Sequence, residues 1–515
     1  MAAAPRVAPY TGLPPDRFQW VGESVGYWAR QAPARIALSD PLARLTYGEL
    51  EALVEVIEAR LAALGTQAGD RVLIVLENSA LAVVAILAAA RLRAWAVPLN
   101  ARLSPGEVDA IRAHCSPRVT IFTVGVSAEA AAHAERHEAA PDELLGPLGG
   151  RVALLPESAP EPASEDPAAQ VAALIYTSGT AGAPKGVMLT HDSLLFSSAR
   201  SSRRRRLSPA DRVYGALPVS HVFGLASVLL GTLYQGGRLD LVARFLPEEA
   251  ARALAEDGIT VLQGAPQMHA RLLALAKARG RPVVAPSLRY ASTGGAPLDL
   301  ALKQQIETMW RLPLHNGYGL TETAAAVSLS AIERPARDHS CGPPLPDIAV
   351  RITGAAGLVL PPGEVGEIQV RARSVMKGYY RDPALTAATV TPDGWLRTGD
   401  LGRFGPEGDL YVEGRLKELI IRSGFNVHPP EVETVLTAHP DVALSAVLGR
   451  PVPGNEEVVA FVQPVPGRTL SIPALRAFVE QRLAPYKRPA EYRVMAELPA
   501  TATGKLLKAR LRELL

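Results

Sequence analysis

The fold is decided by the stretch Val171-Ala-Ala-Leu-Ile-Tyr-Thr-Ser-Gly-Thr-Ala-Gly-Ala-Pro-Lys-Gly186. Its apolar start, Val171–Tyr176, predicts a buried strand, which leads directly into a loop of hydroxyls and glycines ending at Lys185. Glycines let backbone N–H groups approach an anion, and a lysine adds a cation for phosphate. A flexible surface turn is the alternative, but the anchoring strand favours phosphate binding. The loop is not a Walker A motif, because Gly186 follows Lys185 where Ser or Thr would be needed.

Strands and helices alternate on the N-terminal side of this stretch. We predict strands at Arg71–Leu76, Ala94–Pro98 and Val119–Val124, and a helix at Ser79–Arg93. Apolar strands separated by helix-length segments are typical of βαβ units in a parallel sheet. Farther along, residues 365–371 and 410–413 have the pattern of half-exposed antiparallel strands. After Gly414 a smaller unit of about 100 residues mixes short strands with helices.

Composition excludes several classes of protein. The chain has 515 residues, of which 48% are hydrophobic and 20% charged, and this balance predicts a multi-domain globular enzyme. A net charge of +3 gives no general reason to expect nucleic-acid or anionic-membrane binding. Two cysteines, Cys115 and Cys341, exclude a disulfide framework and multi-cysteine metal sites. We predict no secretory signal and no transmembrane segment, and therefore a cytoplasmic location.

Three further stretches carry chemically useful side chains. In Asn316-Gly-Tyr-Gly-Leu-Thr-Glu-Thr323, a ring between two glycines could stack on a flat base, and a hydroxyl and a carboxylate follow for a phosphate and Mg²⁺. In Trp395-Leu-Arg-Thr-Gly-Asp400, the final carboxylate could accept from a ribose diol. The third stretch, Pro499-Ala-Thr-Ala-Thr-Gly-Lys505, places a lysine on a loop before a helix. Taken singly, these stretches also fit a capping turn, an Asx-turn and a solvated helix start.

The type, order and spacing of the stretches together resemble the adenylate-forming (AMP-binding) superfamily, and within it acyl-CoA synthetases similar to coumarate–CoA ligases. The resemblance covers the chain from about Thr46 to the end. It implies an α/β fold with a large N-terminal domain, residues 1–414, of βα subdomains plus a distorted β-barrel. It also implies a small mobile α+β C-terminal domain, residues 415–515, turning at Lys417 within Gly414–Asn426.

The resemblance also implies the roles of individual residues in ATP binding and catalysis. Lys505 would bridge the carboxylate and the α-phosphate, Glu322 would hold Mg²⁺, and Thr321 would touch the α-phosphate. His221 would be a gate beside the acyl pocket, although a lone histidine in an apolar stretch also fits a core role. The implied ATP and AMP contacts are Thr177, Ser178, Gly179, Thr180, Lys185, Gly295, Ala296, Pro297, Asn316, Gly317, Tyr318, Gly319, Thr321, Asp400, Arg415 and Lys505.

The same resemblance gives the expected substrates. An acid would be activated with ATP and Mg²⁺ and passed to CoA, or alternatively to the phosphopantetheine of a carrier protein. The implied acyl pocket is His221, Phe223, Ser227, Gly294, Gly319 and Ala324, and the implied CoA contacts are Ser423, Gly424 and Asn426. Because the pocket residues are small or apolar, we expect a monocarboxylic acid with an apolar tail or ring. A monomer and a homodimer fit equally well.

The run of four arginines, Arg203–Arg206, stands outside these motifs. It is short and lacks interleaved aromatic residues, so it does not indicate nucleic-acid binding. A contact with a CoA phosphate is one interpretation. We expect instead a solvated loop or helix end.

Overall fold

A computed structural model describes residues 13–155, 157–177, 185–354, 357–422, 425–452, 455–500 and 506–515. Its strands are β1 (Ile36–Ser39), β2 (Arg44–Thr46), β3 (Arg71–Leu76), β4 (Trp95–Asn100), β5 (Val119–Phe122), β6 (Ala140–Pro141), β7 (Arg151–Leu154), β8 (Val171–Thr177), β9 (Lys185–Thr190), β10 (Arg212–Gly215), β11 (Arg238–Leu241), β12 (Val261–Gly264), β13 (Tyr290–Gly294), β14 (Leu314–Tyr318), β15 (Ser328–Leu329), β16 (Ala349–Thr353), β17 (Gly366–Arg371), β18 (Gly378–Tyr379), β19 (Leu396–Phe404), β20 (Leu410–Arg415), β21 (Ile420–Arg422), β22 (Phe425–Val427), β23 (Val442–Val452), β24 (Asn455–Pro464) and β25 (Glu491–Val494).

The α-helices lie mostly between these strands. They are α1 (Glu23–Gln31), α2 (Tyr47–Ala63), α3 (Ala80–Arg91), α4 (Pro105–Cys115), α5 (Ala128–Arg136), α6 (His191–Arg204), α7 (Gly231–Gln235), α8 (Pro247–Glu256), α9 (Pro266–Ala278), α10 (Leu300–Trp310), α11 (Pro383–Thr389), α12 (Pro429–Thr437), α13 (Ile472–Glu480) and α14 (Lys508–Arg512). A π-helical turn, Phe223–Leu230, runs directly into α7. Short 3₁₀ turns occur at Gly146–Leu148, Thr321–Thr323, Leu416–Glu418 and Pro485–Lys487.

Two eight-stranded sheets form the large N-terminal part of the described chain. The first has the order β15-β14-β13-β12-β10-β11-β1-β2, and the second β18-β9-β8-β4-β3-β5-β7-β6. Their central strands are parallel, whereas β15 and β2 in the first and β18, β9, β7 and β6 in the second pair antiparallel. The carboxyl ends of parallel strands meet at one edge of a sheet, and this is where such folds place their sites.

Helix α3 shows why the central layer is so apolar. Ser79 caps it by accepting from the Ala82 N–H, and every residue from Ala80 to Ala90 is buried. The helix packs against α2 and against both β3 and β4, so no face of it meets water. Continuous burial replaces the usual amphipathic stripe. The apolar run is thus a core helix, as its sequence predicted.

The remaining strands form three smaller sheets, in which neighbouring strands are antiparallel except for one pair. One sheet has the order β16-β17-β19-β20, β21 pairs with β22, and a third sheet has the order β23-β24-β25 with β25 parallel to β24. The last sheet and helices α12 and α13 enclose a separate apolar core that includes Val447, Val462 and Leu475.

The predicted fold class is confirmed: a large α/β part of βα units and a smaller α+β part. The strand predicted at Ala94–Pro98 runs from Trp95 to Asn100. The helix predicted after Lys505 begins only at Lys508, because the Leu507 N–H donates to the Pro499 carbonyl and Leu506 forms a β-bridge with Ala500.

Candidate active site

The two described ends of the predicted phosphate loop face each other across a hairpin. Thr177 is the last residue of β8 and Lys185 the first of β9, and the two are paired directly in the antiparallel ladder. Both side chains are half-buried. Ser178, Gly179 and Thr180, which were also predicted to bind phosphate, lie outside the described residues. The sheet therefore holds the base of the loop in a fixed register.

Lys185 and Glu322 are connected through Tyr379. The ammonium of Lys185 lies 5.7 Å from the centre of the Tyr379 ring, within the range of a cation–π contact. The Tyr379 hydroxyl donates to Glu322 Oε1 at 2.8 Å. Burial, together with this carboxylate, raises the pKa of Tyr379 far above its ordinary value, so the phenol stays protonated and donates. A cation and a carboxylate thus both contact one tyrosine, the cation at its ring and the carboxylate at its hydroxyl.

Tyr318, Asp400 and Arg415 form a second set. The Tyr318 hydroxyl donates to Asp400 Oδ2 at 2.7 Å, and Arg415 Nε lies 3.2 Å from Asp400 Oδ1. Asp400 and Arg415 are register partners on β19 and β20. Burial and the neighbouring carboxylate raise the pKa of Tyr318 well above its ordinary value. The Asp400 side chain is 7% exposed and the Arg415 side chain is 45% exposed. Arg415 is therefore the more solvent-accessible member of the pair.

Small residues at the carboxyl ends of β13 and β14 leave space beside these two sets. Gly294 pairs with Gly317, and a Cβ at Gly294 would lie 3.2 Å from the Gly317 carbonyl oxygen and 3.5 Å from Phe223 Cε1. The next residue, Gly295, has φ +79 and open space where a Cβ would be. Ala296 is half-buried and Pro297 exposed. The strand ends and the Phe223 ring thus meet at one corner of the sheet edge.

The turn after β14 brings Thr321 and Glu322 to the same corner. A Cβ on Gly319 would lie only 1.4 Å from the Ala325 carbonyl oxygen, so only glycine fits where the chain folds back. Thr321 and Ala324 are buried, and Ala324 has φ 49. Asn316 is also buried, and its amide nitrogen donates to the His339 carbonyl at 2.9 Å. The nucleotide contact predicted for Asn316 would therefore be made by its other polar atoms.

His221 and Ser227 flank Phe223 on the π-helical turn. His221 is half-buried and accepts from the Phe223 N–H through Nδ1 at 3.2 Å, whereas Ser227 is buried. The predicted pocket residues His221, Phe223 and Ser227 therefore belong to one short segment. π-Helical turns are rare and are found frequently at functional sites.

The arginine run differs from its prediction. Arg203 and Arg204 form the last turn of α6, as expected, but Arg205 is only 2% exposed. The expectation of a solvated run is therefore wrong for Arg205, because its guanidinium turns inward and donates to the Ser227 carbonyl at 2.8 Å.

The predicted hinge and CoA residues lie in the C-terminal part. Lys417 is exposed in the turn after β20, and Asn426 is exposed on β22. Beside the hinge turn, Lys508 Nζ lies 2.8 Å from both Glu418 and Glu433, which fastens α14 to this segment. Ser423, Gly424 and Lys505 lie outside the described residues.

Tyr379 and Arg205 are the two residues at the site that sequence reasoning missed. Tyr379 lies on β18, which pairs with β9 directly beyond Lys185. In the sequence, Tyr379 is distinguished only as the first residue of an aromatic pair, Tyr379–Tyr380, after a glycine. Such a pair does not by itself indicate a binding or catalytic role. The pairing of β18 with β9 is a tertiary contact, and it alone brings the ring between Lys185 and Glu322.

The residues present suit Mg²⁺ bound together with a nucleotide. Among the described residues, no cluster of three or more His, Cys, Asp or Glu could hold a metal ion by itself. Mg²⁺ is commonly bound through one or two carboxylates together with substrate phosphates, and the Glu322 carboxylate beside the phosphate loop fits that pattern. Within the same part of the chain, no helix combines the length and apolarity needed to cross a bilayer.

Comparisons with known proteins agree with this geometry. The AMP-binding enzyme family matches residues 26–380, and the AMP-binding enzyme C-terminal domain matches residues 431–505. Feruloyl-CoA synthase of an Amycolatopsis species is 34% identical, covering 95% of this chain and 99% of the relative. Indoleacetate–CoA ligase of Aromatoleum aromaticum is 35% identical, covering 96% and 97%.

Solved structures extend the likeness to three dimensions. O-succinylbenzoate coenzyme A synthetase of Bacillus subtilis, in complex with ATP and magnesium, has a TM-score of 0.81 at 30% identity, over 95% of this chain and 99% of that one. ATP-bound MatB of Rhodopseudomonas palustris also gives 0.81, at 29% identity, over 95% and 98%. The chain therefore belongs to the adenylate-forming, AMP-binding superfamily of acyl-CoA synthetases, and it is an AMP-forming acid–thiol ligase.

Proposed function

We propose that this enzyme activates an apolar, fatty or aromatic monocarboxylic acid with ATP and transfers the acyl group to CoA. The observation that carries the proposal is that β14 and the turn after it contribute to three sets of residues: Lys185–Tyr379–Glu322, Tyr318–Asp400–Arg415, and the small strand ends beside Phe223. The first set suits a polyphosphate, the second a nucleoside, and the third an acyl group. Together the three sets suit ATP and the acid, the two substrates from which an acyl-adenylate forms.

In the first half-reaction, the carboxylate oxygen of the acid attacks the α-phosphorus and pyrophosphate leaves. Lys185 and the loop beginning at Thr177 bind the β- and γ-phosphates, and Thr321 contacts the α-phosphate. Lys505 offsets the repulsion between the incoming carboxylate and the phosphate as negative charge builds on phosphorus. Mg²⁺ held at Glu322 neutralises phosphate charge when bound. Tyr379 keeps the Glu322 carboxylate oriented through its hydroxyl.

The nucleoside is bound by the second set. Tyr318 stacks on adenine, with residues 295–297 on its other side, and Asp400 and Arg415 take the ribose hydroxyls. The Tyr318–Asp400 hydrogen bond fixes the ring and the carboxylate relative to each other before ATP arrives. Such preorganisation lowers the entropy cost of binding.

In the second half-reaction, the CoA thiol attacks the acyl carbonyl and AMP leaves. We propose residues 1–414 and 415–515 as two domains whose relative rotation about Lys417 separates the two steps. Ser423, Gly424 and Asn426 would then approach the pantetheine arm, and His221 would stand between the acyl pocket and the thiol. Leu416 and Lys417 are exposed in this turn, whereas Glu418 is tied to α14 of the C-terminal part through Lys508.

The proposal for the class of acid rests on the residues of the proposed acyl pocket and on the names of similar enzymes. Phe223, Gly294 and Ala324 supply an apolar or small surface. Two relatives with about one-third identity are a feruloyl-CoA synthase and an indoleacetate–CoA ligase, whose names denote ring-bearing acids. A ring or an alkyl chain would fill the corner without leaving a polar group unpaired.

A panel of aliphatic and aromatic acids tests the proposal. AMP and pyrophosphate are measured with ATP, Mg²⁺ and each acid, with CoA or with a holo-carrier protein as the acceptor. We expect CoA-dependent AMP formation with at least one apolar monocarboxylic acid. Acyl transfer only to the carrier protein, or activation only of amino acids or diacids, would contradict the proposal. Glu322→Gln serves as the inactive reference, because it removes the charge that binds Mg²⁺.

A further inference from the structure

Arg205 is a buried cation whose acceptors are not carboxylates. It follows α6 directly and is 2% exposed. Its Nη2 donates to the Ser227 carbonyl at 2.8 Å and to Ser201 Oγ at 3.1 Å, and its Nε has no hydrogen-bond partner. No ion pair among the described residues includes it. Burial lowers its pKa to about 10, so it is charged at neutral pH. Burying a charge in this way costs free energy, so its retention requires a structural or functional reason.

The principal acceptor of Arg205 lies in the π-helical turn Phe223–Leu230. Three successive carbonyls of this turn accept from side-chain hydroxyls or the guanidinium. Ala226 accepts from Ser198 Oγ at 2.8 Å, Ser227 from Arg205, and Val228 from Thr232 Oγ1 at 2.6 Å. In a π-helical turn a carbonyl accepts from the N–H five residues farther on, as Ala226 does from Gly231, and side-chain donors add to these backbone hydrogen bonds. Arg205 and Ser198 supply two of these donors from outside the turn.

The same turn carries the wall of the proposed acyl pocket. Phe223 begins it and meets the strand end at Gly294, where a Cβ would approach its ring to 3.5 Å. Ser227 lies four residues farther on, and its own carbonyl is the atom that Arg205 binds. A shift of this carbonyl would therefore move the backbone that positions Phe223.

We propose that Arg205 is a positioning residue for acid selectivity: together with Ser198 it fixes the wide turn that carries Phe223 and Ser227, and so sets the shape of the acyl pocket. This inference rests on the proposed function, because it takes the corner beside Phe223 to be the acyl site. Arg205 does not touch the acid. It acts through the backbone of the turn.

Arg205→Met is the direct test, because it keeps the side-chain length and removes both the charge and the donors. Removing a buried charge that has no carboxylate partner is stabilising, whereas the Ser227 carbonyl loses a donor, so these opposing effects are expected to leave the Tm close to that of the wild type. We expect the KM for the best acid to rise about tenfold, since small displacements in a site have effects of this size or larger. The ratio of kcat/KM for hexanoate and phenylpropenoate is expected to shift, whereas the KM for ATP stays within about twofold.

Two further variants complete the experiment. Arg203→Met makes the same substitution in the same run at an exposed position and is expected to behave as wild type. Ser198→Ala removes the donor to Ala226 while Arg205 stays in place, and it is expected to shift the acid ratio in the same direction. If Arg205→Met does not fold, the ratio measured for Ser198→Ala decides the matter.

The outcomes that overturn the inference are distinct from those that overturn the proposed function. An unchanged acid ratio in Arg205→Met or, where that does not fold, in Ser198→Ala overturns the inference alone. Equal losses for every acid, accompanied by a lower Tm and a higher KM for ATP, also overturn it, because they indicate a purely structural role. If wild-type enzyme releases no pyrophosphate with any acid, the proposed function fails and the inference fails with it.

Discussion

At the scale of single residues, the proposed chemistry must bring two anions together, and Lys505 is the cation expected to make this possible. We predict that Lys505→Ala slows acyl-adenylate formation by about 10²–10³-fold, the range found when one preorganised donor to a developing oxyanion is lost. Thioester formation from a supplied acyl-adenylate is expected to remain largely intact. Single-turnover measurements of the two half-reactions check this.

The matched control for Lys505→Ala is Lys277→Ala, which removes an exposed lysine from α9. It is expected to leave both half-reactions at wild-type rates. An equal loss of both half-reactions in Lys505→Ala contradicts the assignment.

The carboxylate of Asp400 contacts both other members of the proposed nucleoside set. It accepts from Tyr318 at 2.7 Å and faces Arg415 at 3.2 Å. Hydrogen bonds to charged groups contribute about 1.5–3 kcal/mol, so Asp400→Asn is expected to raise the KM for ATP about 10- to 100-fold. Steady-state kinetics with ATP as the varied substrate give the measurement.

Glu413→Gln is the control for Asp400→Asn, since Glu413 pairs with Arg403 at 2.8 Å on the same two strands. We expect this control to bind ATP normally. A wild-type KM for ATP in Asp400→Asn would exclude Asp400 from the nucleotide site.

At the scale of elements, α9 and β13 are joined by His269. Its Nε2 lies 3.0 Å from the Ser292 carbonyl, and burial lowers the pKa of the imidazole to about 4 from 6.5. The unfolded chain therefore binds this proton at a higher pH than the folded chain does. Stability is then lost as pH falls from about 6.5 towards 4.

His269→Gln keeps a donor for Ser292 but does not titrate. Between pH 7 and pH 5, the wild type is expected to lose about 2 kcal/mol more unfolding free energy than the variant. Urea unfolding at both pH values measures the difference. The other buried histidines, such as His315, are present in both proteins and cancel in the comparison. Parallel pH dependences would show that His269 does not protonate on unfolding in this range.

Helices and strands with a strong periodic or apolar pattern could be predicted from the sequence. Short strands that form only because a neighbouring strand pairs with them could not. Strand β3 has the predicted bounds, Arg71–Leu76, because a run of apolar β-branched residues fits only a buried strand. In contrast, the sequence of residues 127–170 has no clear period and indicates only a surface connection with room for one helix, whereas the structure has the short strands β6 and β7 there as well as α5. These two strands are the last two at one edge of their sheet, where the partner strand rather than the local sequence determines the pairing.

At the scale of the whole molecule, the proposed rotation about Lys417 is open to a direct test. Proline fixes φ near −65°, a value that a 3₁₀ turn accepts, so Lys417→Pro is expected to hold the φ of this residue in the range of the present turn. It would block any arrangement that needs a different φ. We expect one half-reaction to slow at least about tenfold, or ~1.4 kcal/mol of barrier, more than the other.

Lys417→Ala is the control for the hinge, because it removes the side chain and leaves φ free. It is expected to catalyse both half-reactions at near wild-type rates. Equal slowing of both steps by Lys417→Pro would indicate that the turn is not a hinge for the reaction.

The sequence by itself determined the reaction class. Four stretches with the right residue types, in the right order, indicated an adenylate-forming enzyme, since phosphate, base and ribose each demand particular side chains from a local segment. Tyr318, Glu322 and Asp400 could be selected in this way. Each of these residues lies in a motif whose glycines and hydroxyls indicate its role.

Only the tertiary structure decided which residues support these motifs. Tyr379 lies between Lys185 and Glu322 because β18 pairs with β9, and Arg205 holds the Ser227 carbonyl because α6 packs against the wide turn. Neither residue has a local signal, since a tyrosine after glycine and an arginine in a basic run are commonplace. Their positions depend on contacts between segments distant in sequence, and such contacts are fixed only when the whole core assembles.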